Sequence, residues 1–291
     1  MRTLGVVFLP IACAVLAAGC GGGGRTSARP STTTVTQTEQ AGLRVGVVGR
    51  LEVRAPGAVV EAVSLRAASD ESLVLVATNG VPAGRVAAEA VAHPLTHYAL
   101  VGESAAVRHL PNLTGIVIRD DQAARLSGAV AALAVSGQSD RRVAWVGPKD
   151  SALADSFAQG VHALEPGTVI LRAWSVDLPA SCKESALGAI ARGATVVMGP
   201  HGLCAAAAID GAHERNQPGL QLSDFELPGV AAAQIVRDAV HGRYHGGEDV
   251  LFGAASGAVA VRHLDPLLSA VVGARARAVA EQLASGRPLS G

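Results

Sequence analysis

From residue 43 onward the sequence predicts an α/β protein built as two doubly wound parallel-sheet lobes. Three observations predict it. Short apolar runs alternate with segments of helical periodicity, and such alternation implies parallel strands covered on both faces by helices. Turns rich in Gly, Pro, Asn and Asp punctuate the alternation. The rhythm also restarts at residue 142, which gives two series; a single open sheet of roughly nine or more strands is the less common alternative.

The elements follow in order. LRVGVVG (43–49) reads as a strand, and a short helical stretch is expected around 58–67. LVLVAT (73–78) is a second strand with a helix behind it at 83–91. HYALVG (97–102) and GIVIR (115–119) are the next strands, and an Ala-rich helix occupies 121–134. RVAWVG (142–147) opens the second series, with helix 151–163, strand 168–176, helix 182–192, strand 195–199, helix 203–215 and strand 219–223. Helix 230–241, short strands at 250–253 and 257–261, and a closing helix from 266 to about 284 complete the chain.

The first residues carry an address rather than a fold. A basic start at Met1-Arg2, an uncharged apolar run from Leu4 to Leu16, and Leu-Ala-Ala-Gly before Cys20 form a secretory signal with a lipoprotein-type cleavage site. The run falls short of the ~20 apolar residues of a membrane span. Cys20 is therefore the expected acylated N-terminus, on the extracytoplasmic face of the membrane; ordinary secretion after Ala18 or Gly19 is the alternative. Residues 21–42 hold one sizeable apolar side chain, Val35, too little to offset the entropy of ordering, so a flexible tether is expected. The remaining length, about 250 residues, suffices for one large or two modest domains.

Formal charge balances at zero with no block of like charge, which argues against a nucleic-acid surface. Of the four cysteines, Cys13 lies in the signal and Cys20 is the lipid site. Cys182 and Cys204 form an even pair in an oxidising compartment, either a disulfide or two buried thiols. No metal is expected from spacing: neither cysteine has a zinc-ligand neighbour, and Gly242 with Gly246-Gly247 argues against a rigid pair of His241 and His245. Nucleophile elbows, zincin motifs, phosphate loops and dinucleotide fingerprints are absent, so neither an enzyme nor a cofactor is expected.

In doubly wound folds ligands bind at the carboxyl ends of strands, near a switch in strand order. That rule collects Arg50, Glu52 and Arg54, then Thr78 and Asn79, Glu103, Arg119 and Asp120, Lys149 and Asp150, Asp177, His201, Ser223 and Asp224. The set is polar and of mixed charge, suited to a small polar solute. Several members have structural roles as alternatives: Asp120 or Asp121 as a helix N-cap, Asp150 as a cap, and His201 as an exposed loop histidine. Phe157 falls in helical register with Leu153 and Val161 and is expected in the core.

A run of segments resembles one family. These are Gly115-Ile-Val-Ile-Arg-Asp-Asp-Gln with Leu126-Ser-Gly128, Val143-Ala-Trp-Val-Gly147 with Asp150, Phe157 and Gly160, Cys182 to Ala191 with Gly193-Ala-Thr-Val-Val, Gly202-Leu-Cys204, and Arg243-Tyr-His-Gly-Gly247. In order and spacing they resemble the basic membrane protein family of nucleoside-binding lipoproteins. The resemblance implies a type I periplasmic binding fold, a Cys182–Cys204 disulfide, and delivery of a small solute to the permease of an ABC importer. It places lobe 1 at about 43–119 plus about 229–256, and lobe 2 at about 120–228 plus the C-terminal segment. Asp120 carries over as a ligand contact, and Asp224 in the later turn. The first loop departs from the family: Arg50-Leu-Glu-Val-Arg54 replaces its polar and aromatic cluster, and Pro228-Gly-Val-Ala stands where the family has its ribose-binding lysine. Arginines there suit an anionic ligand. The expected ligand contacts are thus Asp120, Asp224, Asn79, Arg50 and His201. A binding-degenerate sensor or envelope interaction lipoprotein of the same fold is the alternative function.

Overall fold

A computed structural model describes residues 42–290, apart from positions 79, 80, 150 and 245. The expectations for the signal, Cys20, the tether, Asn79, Asp150 and His245 lie outside the described residues.

Two all-parallel sheets organise the chain. The first takes β1 (Leu43–Val48), β2 (Ala58–Ala62), β3 (Leu73–Ala77), β4 (His97–Val101), β5 (Leu113–Ile118) and, from much later in the chain, β10 (Asp249–Phe252). Its order is β2-β1-β3-β4-β5-β10. The second takes β6 (Arg142–Gly147), β7 (Val169–Trp174), β8 (Val196–Gly199) and β9 (Gly219–Gln221), in the order β7-β6-β8-β9. Both orders reverse direction once, between β1 and β3 and between β6 and β8. These are the switch points at which such folds open a crevice.

Each sheet is covered on both faces. On the first, α1 (Ala83–Ala92) buries Val86 and Ala90 against Val74, Val76, Tyr98 and Leu100. On its other face α6 (Pro228–Val240) buries Ala231, Ala232, Ile235 and Val236 against Val45, Val47, Leu75 and Ile116. Helices α2 (Asp120–Val135) and α3 (Ala152–Leu164) cover one face of the second sheet, where Trp145, Phe157, Met198 and Phe225 are fully buried. α7 (Ala270–Ala284) packs outside α2. Helices α4 (Pro179–Ala191) and α5 (Gly202–His213) cover the opposite face. There Cys182 and Cys204 form a disulfide with Cα atoms 5.3 Å apart. Among the described residues, no helix is long and apolar enough to cross a membrane.

Two expected elements are corrected. The stretch expected as a helix at 58–67 is strand β2, paired in register with β1 from Leu43–Ala58 to Val47–Ala62, followed by a 3-10 turn at Leu65–Asp70. β-branched Val59 and Val60 favour an extended edge strand, in which Val59 is exposed and Val60 packs inward. The strand expected at 257–261 joins neither sheet. It runs extended beside residues 224–227 instead, with Leu227 N–H donating to Ala258 O, Ala260 N–H to Phe225 O and Arg262 N–H to Asp224 O, at 2.8–2.9 Å.

Candidate functional site

Two strand exits and a crossover converge on one cluster. β5 ends and α2 begins at Asp120, whose carboxylate lies in the first turn; Arg119 is the N-cap, and Asp120 makes no side-chain capping bond. Its neighbour Asp121 pairs instead with the Arg119 guanidinium at 2.8 Å. β8 ends at Gly199, and the Pro200-His201 turn presents His201 as the N-cap of α5 with extended backbone. Beyond β9, the paired segment just described holds Glu226 opposite Val259. His201 Nε2 then lies 3.6 Å from Asp120 Oδ2 and 3.7 Å from Glu226 Oε1.

The charges of this cluster are strongly interdependent. Burial pushes the Glu226 carboxyl up to about 7; the His201 ring opposes this and the Asp120 carboxylate reinforces it. Contact with Asp120 raises the His201 pKa against the desolvation of its ring, and Glu226 adds to the rise. Perturbed, mutually facing groups gathered in one place are what a functional site presents.

A separate cavity of about 830 Å³ opens at the switch point of the first sheet. Gly49, at φ +93°, turns the chain out of β1, and a side chain there would press on Ala77 at 3.2 Å. The loop it releases supplies Arg50, Leu51, Glu52 and Arg54; the start of α6 supplies Pro228, Gly229 and Val230; Arg237 and Arg262 complete the charged lining. Among the described residues none of these four arginines is in an ion pair. α6 adds the partial positive charge of its N-terminus. Gly229 permits the closeness of loop and helix, since a Cβ would fall 2.2 Å from the Glu52 carbonyl.

With this geometry on hand, comparison with solved structures is decisive for the fold. An ABC transporter solute-binding protein from Conexibacter woesei superposes with a TM-score of 0.62, covering 84% of this chain and 97% of its own at 16% identity. A solute-binding protein of the same kind from Aeropyrum pernix K1 gives 0.52, with 84% and 92% covered at 17% identity. The chain has the type I periplasmic binding fold. A transcriptional activator of the comK gene from Bacillus halodurans shares it too, at a TM-score of 0.59 with 84% and 98% covered and 9% identity. No family model and no curated protein matches the sequence.

The expected site residues therefore sort into groups. Asp120 and His201 are brought together, and Arg50 lines the cavity. Asp224 is turned inward: its carboxylate accepts the Gln221 backbone N–H at 2.9 Å and so caps the 3-10 turn at Leu222–Asp224. Burial raises its pKa, and the Gln221 hydrogen bonds oppose the rise. Glu226, Arg237 and Arg262 were not on the strand-end list. Glu226 stands two residues past Asp224 in a crossover, and the two arginines come from a helix flank and a second crossover. Phe157 is fully buried against Trp145, with ring centroids 5.5 Å apart.

Proposed function

We propose that this chain is a lipid-anchored, extracytoplasmic solute-binding protein that captures a small anionic solute and presents it to the permease of an ABC importer. The observation that carries the reading is the open cavity at the first switch point, where four arginines with no ion pair among the described residues and a helix N-terminus surround a single carboxylate, Glu52. Such a lining favours carboxylate or phosphate oxygens through charge-assisted hydrogen bonds. Phe225 lies in the core and does not fill the cavity, which supports a binding function over a degenerate derivative. A neutral nucleoside, the solute implied by the family resemblance, is less well matched, because none of the described lining residues is aromatic. The signal sequence and Cys20 support the lipid anchor. Function follows as differential binding: solute stabilises one arrangement of the domain, and the permease reads that arrangement.

A thermal-shift screen of the full chain tests this, with phosphate, sulfate, dicarboxylates and sugar phosphates set against neutral nucleosides and sugars. An anion at a hundred times its dissociation constant adds about 2.7 kcal/mol and raises the melting temperature. A response to nucleosides alone overturns the anionic reading, and silence across the panel favours the binding-degenerate envelope protein.

A further inference from the structure

We propose that Asp120 Oδ2, His201 Nε2 and Glu226 Oε1 form a three-ligand site for a zinc-type divalent cation, with a fourth position left for water or solute. The inference does not depend on the anion-binding reading, because it concerns a different set of residues. The three ligating atoms lie within 4.8 Å of one another and come from three separate elements.

Distance separates this arrangement from an ordinary ion-pair cluster. A protonated histidine shared between carboxylates closes to about 2.7–2.9 Å on its acceptors, whereas here both separations are 3.6–3.7 Å. Ligand atoms held about 2.0–2.2 Å from one zinc ion stand roughly 3.4 Å apart along a tetrahedral edge. The two separations from His201 are thus close to what an ion needs and longer than direct hydrogen bonds, and all three atoms lie within 4.8 Å of one another. Glu226 Oε1 shows the consequence: it is sealed from solvent and accepts no hydrogen bond, a costly state for a carboxylate oxygen unless a cation completes it.

Charge points the same way. The N-termini of α2 and α5 each bring about half a positive charge, against two carboxylates. With the imidazole neutral, as ligation requires, the cluster keeps a net negative charge. One imidazole with two carboxylates is a borderline donor set that suits zinc and its first-row neighbours. The backbone holds the donors in place: Asp120 in a helical first turn, His201 at a helix cap, and Glu226 in the bridge to Val259. An ion there ties two segments that run between the sheets to the β8–α5 turn.

The test uses the full chain stripped with chelator and titrated with Zn²⁺ by calorimetry, and separately with Co²⁺ by visible absorption. One ion bound per chain is expected, with the intense bands of four-coordinate Co²⁺. His201→Ala and Glu226→Gln should each weaken binding by more than about tenfold, while His162→Ala, on the exposed face of α3, leaves it unchanged. Thermal melts of the chelator-treated variants confirm that they fold. No uptake of either ion by the folded wild type overturns the proposal, and so does uptake that survives both His201→Ala and Glu226→Gln.

Discussion

Gly128 of α2 and Gly160 of α3 meet where the two helices touch backbone to backbone. A Cβ on Gly128 would fall 2.0 Å from the Phe157 carbonyl oxygen, and one on Gly160 1.9 Å from that of Arg125. Each glycine makes room for the other helix's main chain, and this contact seats α3 against the helix that begins at Asp120.

Gly128→Ala and Gly160→Ala should each destabilise the protein by about 1–3 kcal/mol or more, since the clash is with backbone and cannot be relieved by a rotamer change. Gly188→Ala is the contrasting case: Gly188 lies inside α4, is exposed, and has nothing within 4 Å of the added methyl. There the better helix propensity of alanine should stabilise by up to about 1 kcal/mol. Urea unfolding of the three variants checks both signs.

The disulfide closes a loop of 22 residues between α4 and α5. By chain entropy its removal should cost about 3 kcal/mol. Both sulfurs are buried beside Ala186, Val197 and Ala208, so Cys182→Ala with Cys204→Ala removes the link with little change in polarity. The denaturation midpoint of that double variant should match that of the reduced wild type; a midpoint equal to that of the oxidised protein would show that the bridge contributes nothing.

Stability in acid is tied to Asp265. Burial disfavours its charge, but the Gly219 N–H, His213 Nε2 and the Leu267 N–H, at 2.7, 2.6 and 2.8 Å, outweigh burial and hold its pKa below the usual carboxylate value. A depressed folded-state pKa contributes stability that is fully present above the unfolded value, near 4, and is lost as pH falls through the folded value. The expected result is a stability profile that declines below about pH 4, and Asp265→Asn should lower stability at pH 7 while flattening that decline. Unfolding curves from pH 2.5 to 7 decide it; an unchanged acid limb in the variant would remove Asp265 from the account.

How much of this was legible from sequence depends on whether a residue's role is local. β3, β4 and β6 announce themselves because their apolar runs are bounded by turns, and the strand-exit rule reaches Asp120 and His201 because each directly follows a strand. Asp224 and Glu226 stand two residues apart in the same crossover. Which of them caps a turn and which faces His201 depends on pairing with residues 258–262, a contact about 35 positions away that no local pattern encodes. Arg237 and Arg262 escaped for the same reason: the cavity borrows them from a helix flank and a crossover, not from strand ends. The edge strand β2 is five residues long with two alanines, and its placement comes from pairing with β1, which no local pattern encodes.

The cavity yields the most direct test of mechanism. Arg50 is exposed and makes no hydrogen bond or ion pair among the described residues, and Arg237 is held by Gln234 Oε1 at 2.6 Å. Neither anchors the core, so Arg50→Gln and Arg237→Gln should leave thermal stability nearly unchanged. Each should weaken binding of an anionic solute by roughly ten- to a hundredfold, the loss of a charged hydrogen bond worth about 1.5–3 kcal/mol. Glu52→Gln removes the one opposing charge of the lining and should tighten binding. Raising the ionic strength from 0.1 to 1 M shortens the screening length from about 10 to 3 Å and should weaken the wild type more than either arginine variant. Calorimetric titration with the best anion from the screen reads all of these effects, and equal affinities across the variants would move the solute site away from this cavity.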